Sequence, residues 1–384
     1  MTPKYTSSRL AEFGSYAFAE LSALRREVAK TRRVIDMGVG DPDFPPPLEI
    51  QDALVAALAE TETHRYPDYQ GDAFFREAVA RFFLERYDVK LDCDRNIIGL
   101  IGSKEGIFHL PLAVLNSGDV GAYTNPGYPV YRAGIAFAGA VPKDVKLREQ
   151  SRFLPDFSEI PHNARLLWVN YPNNPTTACA NVEFYQELVA LAHERGFLIA
   201  NDAAYSEIYS GEAPRSILEI PGAMDVAIEV HSLSKTFCMT GWRAGFAVGN
   251  EDAIAALLAL KRNIDSGAFR AVQRAAKTAF DNWKKFGEPI RGKYAARVSR
   301  WCCALQQQGI DAHNLGGTFY VWAKPPVKFA RAADFAAFLI EKTGIVALPG
   351  TAMGDAGEGY LRFSLTLPDE HIAFAEEQLA EMSF

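Results

Sequence analysis

From about Ile50 to Asn250 the chain alternates short apolar runs with stretches whose apolar residues recur at helical spacing. The runs are Ile97–Ile101, Val120–Thr124, Leu166–Asn170, Phe197–Asn201, Ala227–His231 and Ala244–Val248. Between two of them Glu183–Arg195 reads as a helix, because Phe184, Leu188, Val189 and Ala192 fall on one face. Strands apolar on both faces and separated by amphipathic helices require a largely parallel sheet with helices packed on each side, an α/β fold. Ligands of such sheets gather beyond the carboxyl ends of the strands. The sequence therefore directs attention to the residues that close each apolar run.

The pattern changes after Asn250. Glu251–Trp301 is a long helical stretch nearly free of proline, suited to linking two domains. Beyond it, strand-like Thr318–Ala323, Ile345–Leu348 and Leu361–Leu365 mix with helical Ala332–Lys342 and Glu370–Met382. At the amino end, Phe13–Val28 reads as a helix ended by the turn-rich Gly38-Val39-Gly40-Asp41-Pro42-Asp43. The 384 residues exceed the roughly 250–300 that one core serves. Two domains are expected: a large one over 46–280, and a smaller α+β one from 1–45 with 281–384.

Charge and composition exclude several classes. A net charge of −7 disfavours nucleic acid, whose phosphates need a basic face. No apolar run approaches the ~18 residues of a membrane span. Met1–Arg9 is polar with no apolar segment behind it, so a cytoplasmic protein is expected. Five cysteines make an odd count without metal-ligand spacing, and Cys302 beside Cys303 suits a reduced helix. No metal site is expected.

The polar residues that close the runs form an ordered set. His231-Ser232-Leu233-Ser234-Lys235 is followed eight residues after the lysine by Arg243. A lysine flanked by hydroxyls with an arginine nearby suits a phosphate-bearing aldehyde cofactor: the amine attaches to the aldehyde, and hydroxyls and guanidinium hold the phosphate. Upstream lie Asp202-Ala203-Ala204-Tyr205 and Asn173-Asn174-Pro175-Thr176. Each element alone has a plainer reading, namely a solvated loop, a helix N-cap or a turn. Their common order points to pyridoxal phosphate. Gly102-Ser103-Lys104-Glu105-Gly106 follows a run and opens a helix, so the Ser103 and Lys104 amides face an anion at a positive helix end. Gly38-x-Gly40 lacks the third glycine and the strand–helix context of a dinucleotide fingerprint.

Along nearly its whole length the chain resembles the fold-type I, class I and II aminotransferases. The resemblance implies a large domain with a mostly parallel seven-stranded sheet, a smaller α+β domain and a homodimer with shared sites. It implies that Lys235 carries the cofactor and, once freed by substrate, moves the α-proton. Asp202 would face the pyridine nitrogen, and Tyr205 and Asn174 the phenolic oxygen. Ser103, Lys104, Ser232, Ser234 and Arg243 would bind the phosphate, with Tyr66 reaching it from the neighbouring subunit; Tyr69 competes for that role. Tyr128 would stack on the ring, where an ordinary loop aromatic is the alternative. Arg362 would clamp the substrate α-carboxylate, aided by the Gly40 amide, Asn174 and Tyr16.

Within the family the Gly102–Gly106, Asn125–Tyr131 and Tyr171–Thr176 segments are most similar to the branch that acts on LL-diaminopimelate and 2-oxoglutarate in lysine biosynthesis. Three alternatives stand beside that reading. One is transfer from N-succinyl-diaminopimelate, aspartate, alanine or aromatic amino acids. Another is a carbon–sulfur lyase on the same fold, which would release pyruvate without an acceptor. The third is a ligand-sensing regulatory module.

Overall fold

A computed structural model describes residues 19–382 together with Tyr5, Ser7 and Leu10. The expected Phe13–Val28 helix is described over Ala19–Val28, and its earlier part, with Tyr16, lies outside the described residues. A short strand β1 (Ile35–Asp36) follows. The central sheet then collects β2 (Ile97–Leu100), β3 (Val120–Asn125), β4 (Val141–Lys146), β5 (Ala164–Val169), β6 (Leu198–Asp202), β7 (Ala227–Ser232) and β8 (Gly245–Gly249). Their order is β2-β8-β7-β6-β5-β3-β4, seven strands. All neighbours are parallel except β8, which runs antiparallel to both β2 and β7.

Six of the seven strands coincide with the apolar runs to within two residues. The seventh, β4, closes one edge and buries only Val145 fully, while Lys143, Asp144 and Lys146 face solvent. A charged edge strand carries no apolar run and blunts edge-to-edge pairing. Apolar side chains pack on both faces of the sheet. Val169, Ile199 and Phe246 join the Phe82, Leu188 and Phe280 layer; Leu166, Trp168 and Val230 join the Ile107, Ile135 and Leu257 layer.

The long helical stretch after Asn250 is three helices, Glu251–Lys261, Arg270–Asp281 and Trp283–Gln307, with a turn at 262–269 where Gly267 takes φ +90°. The 25-residue third helix, roughly 37 Å long, spans two cores. Trp283 and Phe286 sit in the core under the large sheet, and Val298, Trp301 and Leu305 in a second core. That second core lies against a four-stranded antiparallel sheet ordered β12-β13-β10-β9. Its strands are β9 (Asp311–His313), β10 (Tyr320–Lys324), β12 (Leu348–Pro349) and β13 (Leu361–Ser364), with β11 (Ile345–Val346) preceding β12. The short β9 has no apolar run and goes unread in the sequence. β1 pairs with β11 in parallel, Ile35 opposite Ile345, and Met37 O accepts from Ser364 N at 2.7 Å. These bonds carry Gly38–Gly40 alongside β13. Among the described residues no helix is long and apolar enough to cross a membrane.

Candidate active site

The carboxyl ends of β5, β6 and β7 deliver Asn174, Asp202 and Ser232–Lys235 to one place, and β10 and β13 of the second sheet face them. Lys235 is half-buried on the single helical turn Leu233–Thr236, and its Nζ donates to Gly40 O at 2.6 Å. Burial lowers its pKa to about 8; Arg362 and Arg243 act in the same direction, and Asp41 opposes them. An amine so placed is partly neutral, and therefore nucleophilic, at ordinary pH.

Asp202 ends β6 fully enclosed. Tyr131 Oη donates to its Oδ2 at 2.7 Å and Ala204 N to its Oδ1 at 3.2 Å. Burial raises its pKa to about 6, with the Tyr131 and Ala204 hydrogen bonds and His231 opposing. Tyr131 itself is wholly buried and stacks on Trp168, ring centroids 5.2 Å apart at 11°. It was not singled out in the sequence. The clue available was its place three residues after Tyr128, in Tyr128-Pro129-Val130-Tyr131. Tyr128 is half-buried, its ring 5.9 Å from that of Tyr131 and 5.9 Å from Lys104 Nζ.

Arg362 lies on β13 opposite Trp322 of β10. Its guanidinium donates to Asn174 Oδ1 and to Gly38 O, each at 2.7 Å. Its Nε is buried with no hydrogen-bond partner among the described residues. Tyr320, two residues before Trp322 and so diagonal to Arg362 on the same face of the sheet, holds its ring 4.2 Å from the guanidinium carbon. The Tyr320 hydroxyl also pairs with that of Tyr205 at 2.8 Å. It abuts Gly40, where an added Cβ would stand 2.0 Å from it. Tyr320 thus joins three of the residues expected at the site, yet inside an apolar strand run nothing in the sequence marks it.

The candidate anion cup is built where β2 ends. Gly102 takes φ +93° and opens the helix Ser103–Val114 without a side-chain cap, and among the described residues no side chain accepts from the Ser103 or Lys104 amide. The Arg243 guanidinium packs over Gly102 so closely that a Cβ there would lie 2.4 Å from Nη2. Gly245 brings β8 equally near, its hypothetical Cβ 2.8 Å from Ser103 N. Ser232 Oγ accepts from Ser234 N at 3.2 Å, and both serines are buried.

His231 is stacked on Phe246 and paired with Glu229 at 3.0 Å, a packing role. Tyr66 is not brought to the cluster by its own chain: it is 84% exposed, and Tyr69 41%. Among the described residues no group of three His, Cys, Asp or Glu side chains is arranged for a metal.

The residues present fit a phosphate-bearing pyridine aldehyde on three counts. An uncapped helix start lies under an arginine, a buried carboxylate has no ion-pair partner among the described residues, and a half-buried amine has its pKa lowered to about 8. A half-buried amine, a buried carboxylate and a guanidinium gathered in this way suit a cofactor-dependent enzyme. Comparison with known proteins agrees. The family model for aminotransferase class I and II matches residues 32–379. An LL-diaminopimelate aminotransferase of Aquifex aeolicus is 47% identical over 98% of both chains. Among solved structures, substrate-bound BacF from Bacillus subtilis superposes with a TM-score of 0.92 at 32% identity, covering 97% of this chain and 96% of that one. A probable N-succinyldiaminopimelate aminotransferase of Thermus thermophilus gives 0.87 at 31%, covering 95% and 99%. The chain belongs to the class I and II aminotransferase family.

Proposed function

We propose that this protein moves an amino group between LL-diaminopimelate and 2-oxoglutarate, using pyridoxal phosphate held by the cluster around Lys235. The observation that carries the transfer reaction is the convergence of the Lys235 amine and the Arg362 guanidinium on Gly38–Gly40, with the buried Asp202 carboxylate at the end of the strand beside the one that leads to Lys235. The choice of amino acid rests on the 47% identity to a curated enzyme of that name across nearly both full lengths. When bound, the cofactor supplies an aldehyde for amine attachment and a protonatable ring that withdraws electrons.

In this reading Arg362 binds the substrate α-carboxylate with its forked donors, exchanging Gly38 O and Asn174 Oδ1 for the ligand. The clamp orients the Cα–H bond toward Lys235, whose neutral amine would accept the proton and return it two atoms further on, a 1,3-shift. Asp202 holds a proton on the ring nitrogen, and Tyr131 holds Asp202. Tyr205 and Asn174 serve the phenolic oxygen, Tyr128 the ring face, and Ser103, Lys104, Ser232, Ser234 and Arg243 the phosphate. Gly40 lends its amide to the carboxylate. The same reading divides the chain into domains 46–280 and 1–45 with 281–384; the long helix Trp283–Gln307 joins them, with Trp283 and Phe286 still in the large-sheet core and Val298 onward in the second. It also has Tyr66 completing the phosphate site of a second copy in a cytoplasmic homodimer.

Single-turnover spectroscopy with a panel of amino donors tests the substrate. LL-diaminopimelate and glutamate are expected to discharge the cofactor's visible band rapidly, and alanine, aspartate and aromatic donors slowly. Equal or faster reaction with the latter group would remove the diaminopimelate assignment and leave a different aminotransferase. Pyruvate release without an acceptor would indicate a lyase.

Arg362→Lys is expected to lower kcat/KM roughly 10- to 100-fold, the scale of one charged, bidentate contact, with cofactor affinity little changed. Steady-state kinetics beside a cofactor titration distinguish the roles. Loss of cofactor without loss of substrate saturation would make the arginine structural.

A further inference from the structure

Lys261 closes the helix Glu251–Lys261 and is 0% exposed. A lysine so deep must be held on all sides, since an isolated buried ammonium is strongly disfavoured. Its Nζ donates to Glu105 Oε1 and to Asp265 Oδ1, each at 2.7 Å.

Each carboxylate in turn grips backbone. The other oxygen of Glu105 accepts from Ile101 N at 2.6 Å, fixing the residue that leads into Gly102 and the helix start. Asp265 Oδ1 also accepts from Gly267 N at 2.7 Å. At φ +90°, Gly267 lies so near the segment before Tyr69 that a Cβ would come within 2.9 Å of Asp68 O and 3.2 Å of Pro67 Cγ. Gln273 fastens the same region, donating to Ala268 O and accepting from Asp72 N, both at 2.8 Å.

We propose that Lys261 is a positioning residue that sets the anion cup at Ile101–Lys104 through Glu105, and the 66–69 segment through Asp265. The proposal rests on the reading of Ser103, Lys104 and Arg243 as a phosphate cup. Lys261 touches no ligand itself. Its geometry fixes the backbone from which two parts of that cup are presented, one on its own chain and one carrying Tyr66. Burial of an ion pair contributes little net stability; here the pair links the Lys261 ammonium to the backbone at Ile101 through Glu105.

The test compares binding of pyridoxal phosphate and of pyridoxal to the cofactor-depleted full-length protein and to Lys261→Met. The parent is expected to favour the phosphorylated form strongly. In Lys261→Met that preference is expected to fall about tenfold, the scale of a charge-assisted hydrogen bond, with pyridoxal affinity unchanged within about twofold. Glu105→Gln keeps an acceptor for Ile101 N while weakening the pair, and is expected to lose a smaller part of the preference. It carries the test alone if Lys261→Met does not fold. An unchanged ratio, or equal loss for both compounds, would overturn the positioning role. A parent that binds both compounds alike would instead overturn the phosphate reading beneath it.

Discussion

A Lys235→Ala protein is expected to fold, to bind cofactor without attaching it, and to lose transamination by at least about 10²–10⁴-fold, the share a positioned proton-transfer group supplies. The fold should survive because Lys235 is only half-buried and its one side-chain hydrogen bond among the described residues is to a single backbone carbonyl, Gly40 O. Borohydride treatment of the cofactor-loaded parent followed by intact mass spectrometry should show one adduct per chain, and the variant none. Retention of the adduct would move the attachment point to another lysine and sink the assignment. In the parent, the rate of attachment should rise with pH and level off above about 8. The neutral amine is the nucleophile, and burial lowers the pKa of Lys235 to about 8. A rate still climbing steeply at pH 10 would mean that the amine is not desolvated in solution.

The parts of the fold legible in the sequence were those whose burial is two-sided. β5 reads from Leu166 because Leu166, Leu167, Trp168 and Val169 are all wholly buried. Its first two residues escape because Arg165 points to solvent. β4 escapes entirely, for the same reason carried along a whole strand. The break in the helical stretch at 262–269 is harder to read. It depends on Asp265 accepting from Gly267 N and on Gly267 meeting Asp68, a contact set by tertiary packing.

The site divides in a similar way. Lys235, Asp202, Asn174 and Arg362 are polar residues at the ends of, or within, apolar runs, so each is visible as a local exception. Tyr131, Tyr320 and Lys261 are not exceptions locally. They matter through Asp202, Tyr205 and Glu105, which lie 71, 115 and 156 residues away in the chain. Only folding makes those pairs, and beyond the nearness of Tyr131 to Tyr128 the sequence carries no local mark of them. Tyr66 is a different case: its expected partner is on another copy, so its 84% exposure in one chain decides nothing between it and Tyr69.

Asp202→Asn is expected to make the cofactor-free protein more stable while lowering turnover about 10²–10³-fold, the cost of removing one preorganised electrostatic contact. The stability effect follows from burial. An aspartate ordinarily titrates near 3.8, and enclosure raises Asp202 to about 6, so the native chain binds this proton more tightly than the unfolded chain does. Stability contributed by the protonated form is present below pH 4 and is lost as pH rises through about 6, because above that the fold must bury a carboxylate with no ion-pair partner among the described residues. The shift corresponds to a penalty on the order of 3 kcal/mol. Asparagine avoids it and keeps the local bonds, since Tyr131 Oη can accept from the amide while Oδ1 still accepts from Ala204 N. Thermal unfolding of the two cofactor-free proteins should therefore coincide near pH 4 and diverge in favour of the variant between pH 6 and 8. Once a protonated ring nitrogen faces the carboxylate, the buried charge is compensated and the advantage should reverse, so added cofactor should raise the melting temperature of the parent more than that of the variant. A variant that melts below the parent at pH 8 without cofactor would mean that the carboxylate is paired with a cation in solution. Equal stabilisation of both by cofactor would remove Asp202 from the ring nitrogen.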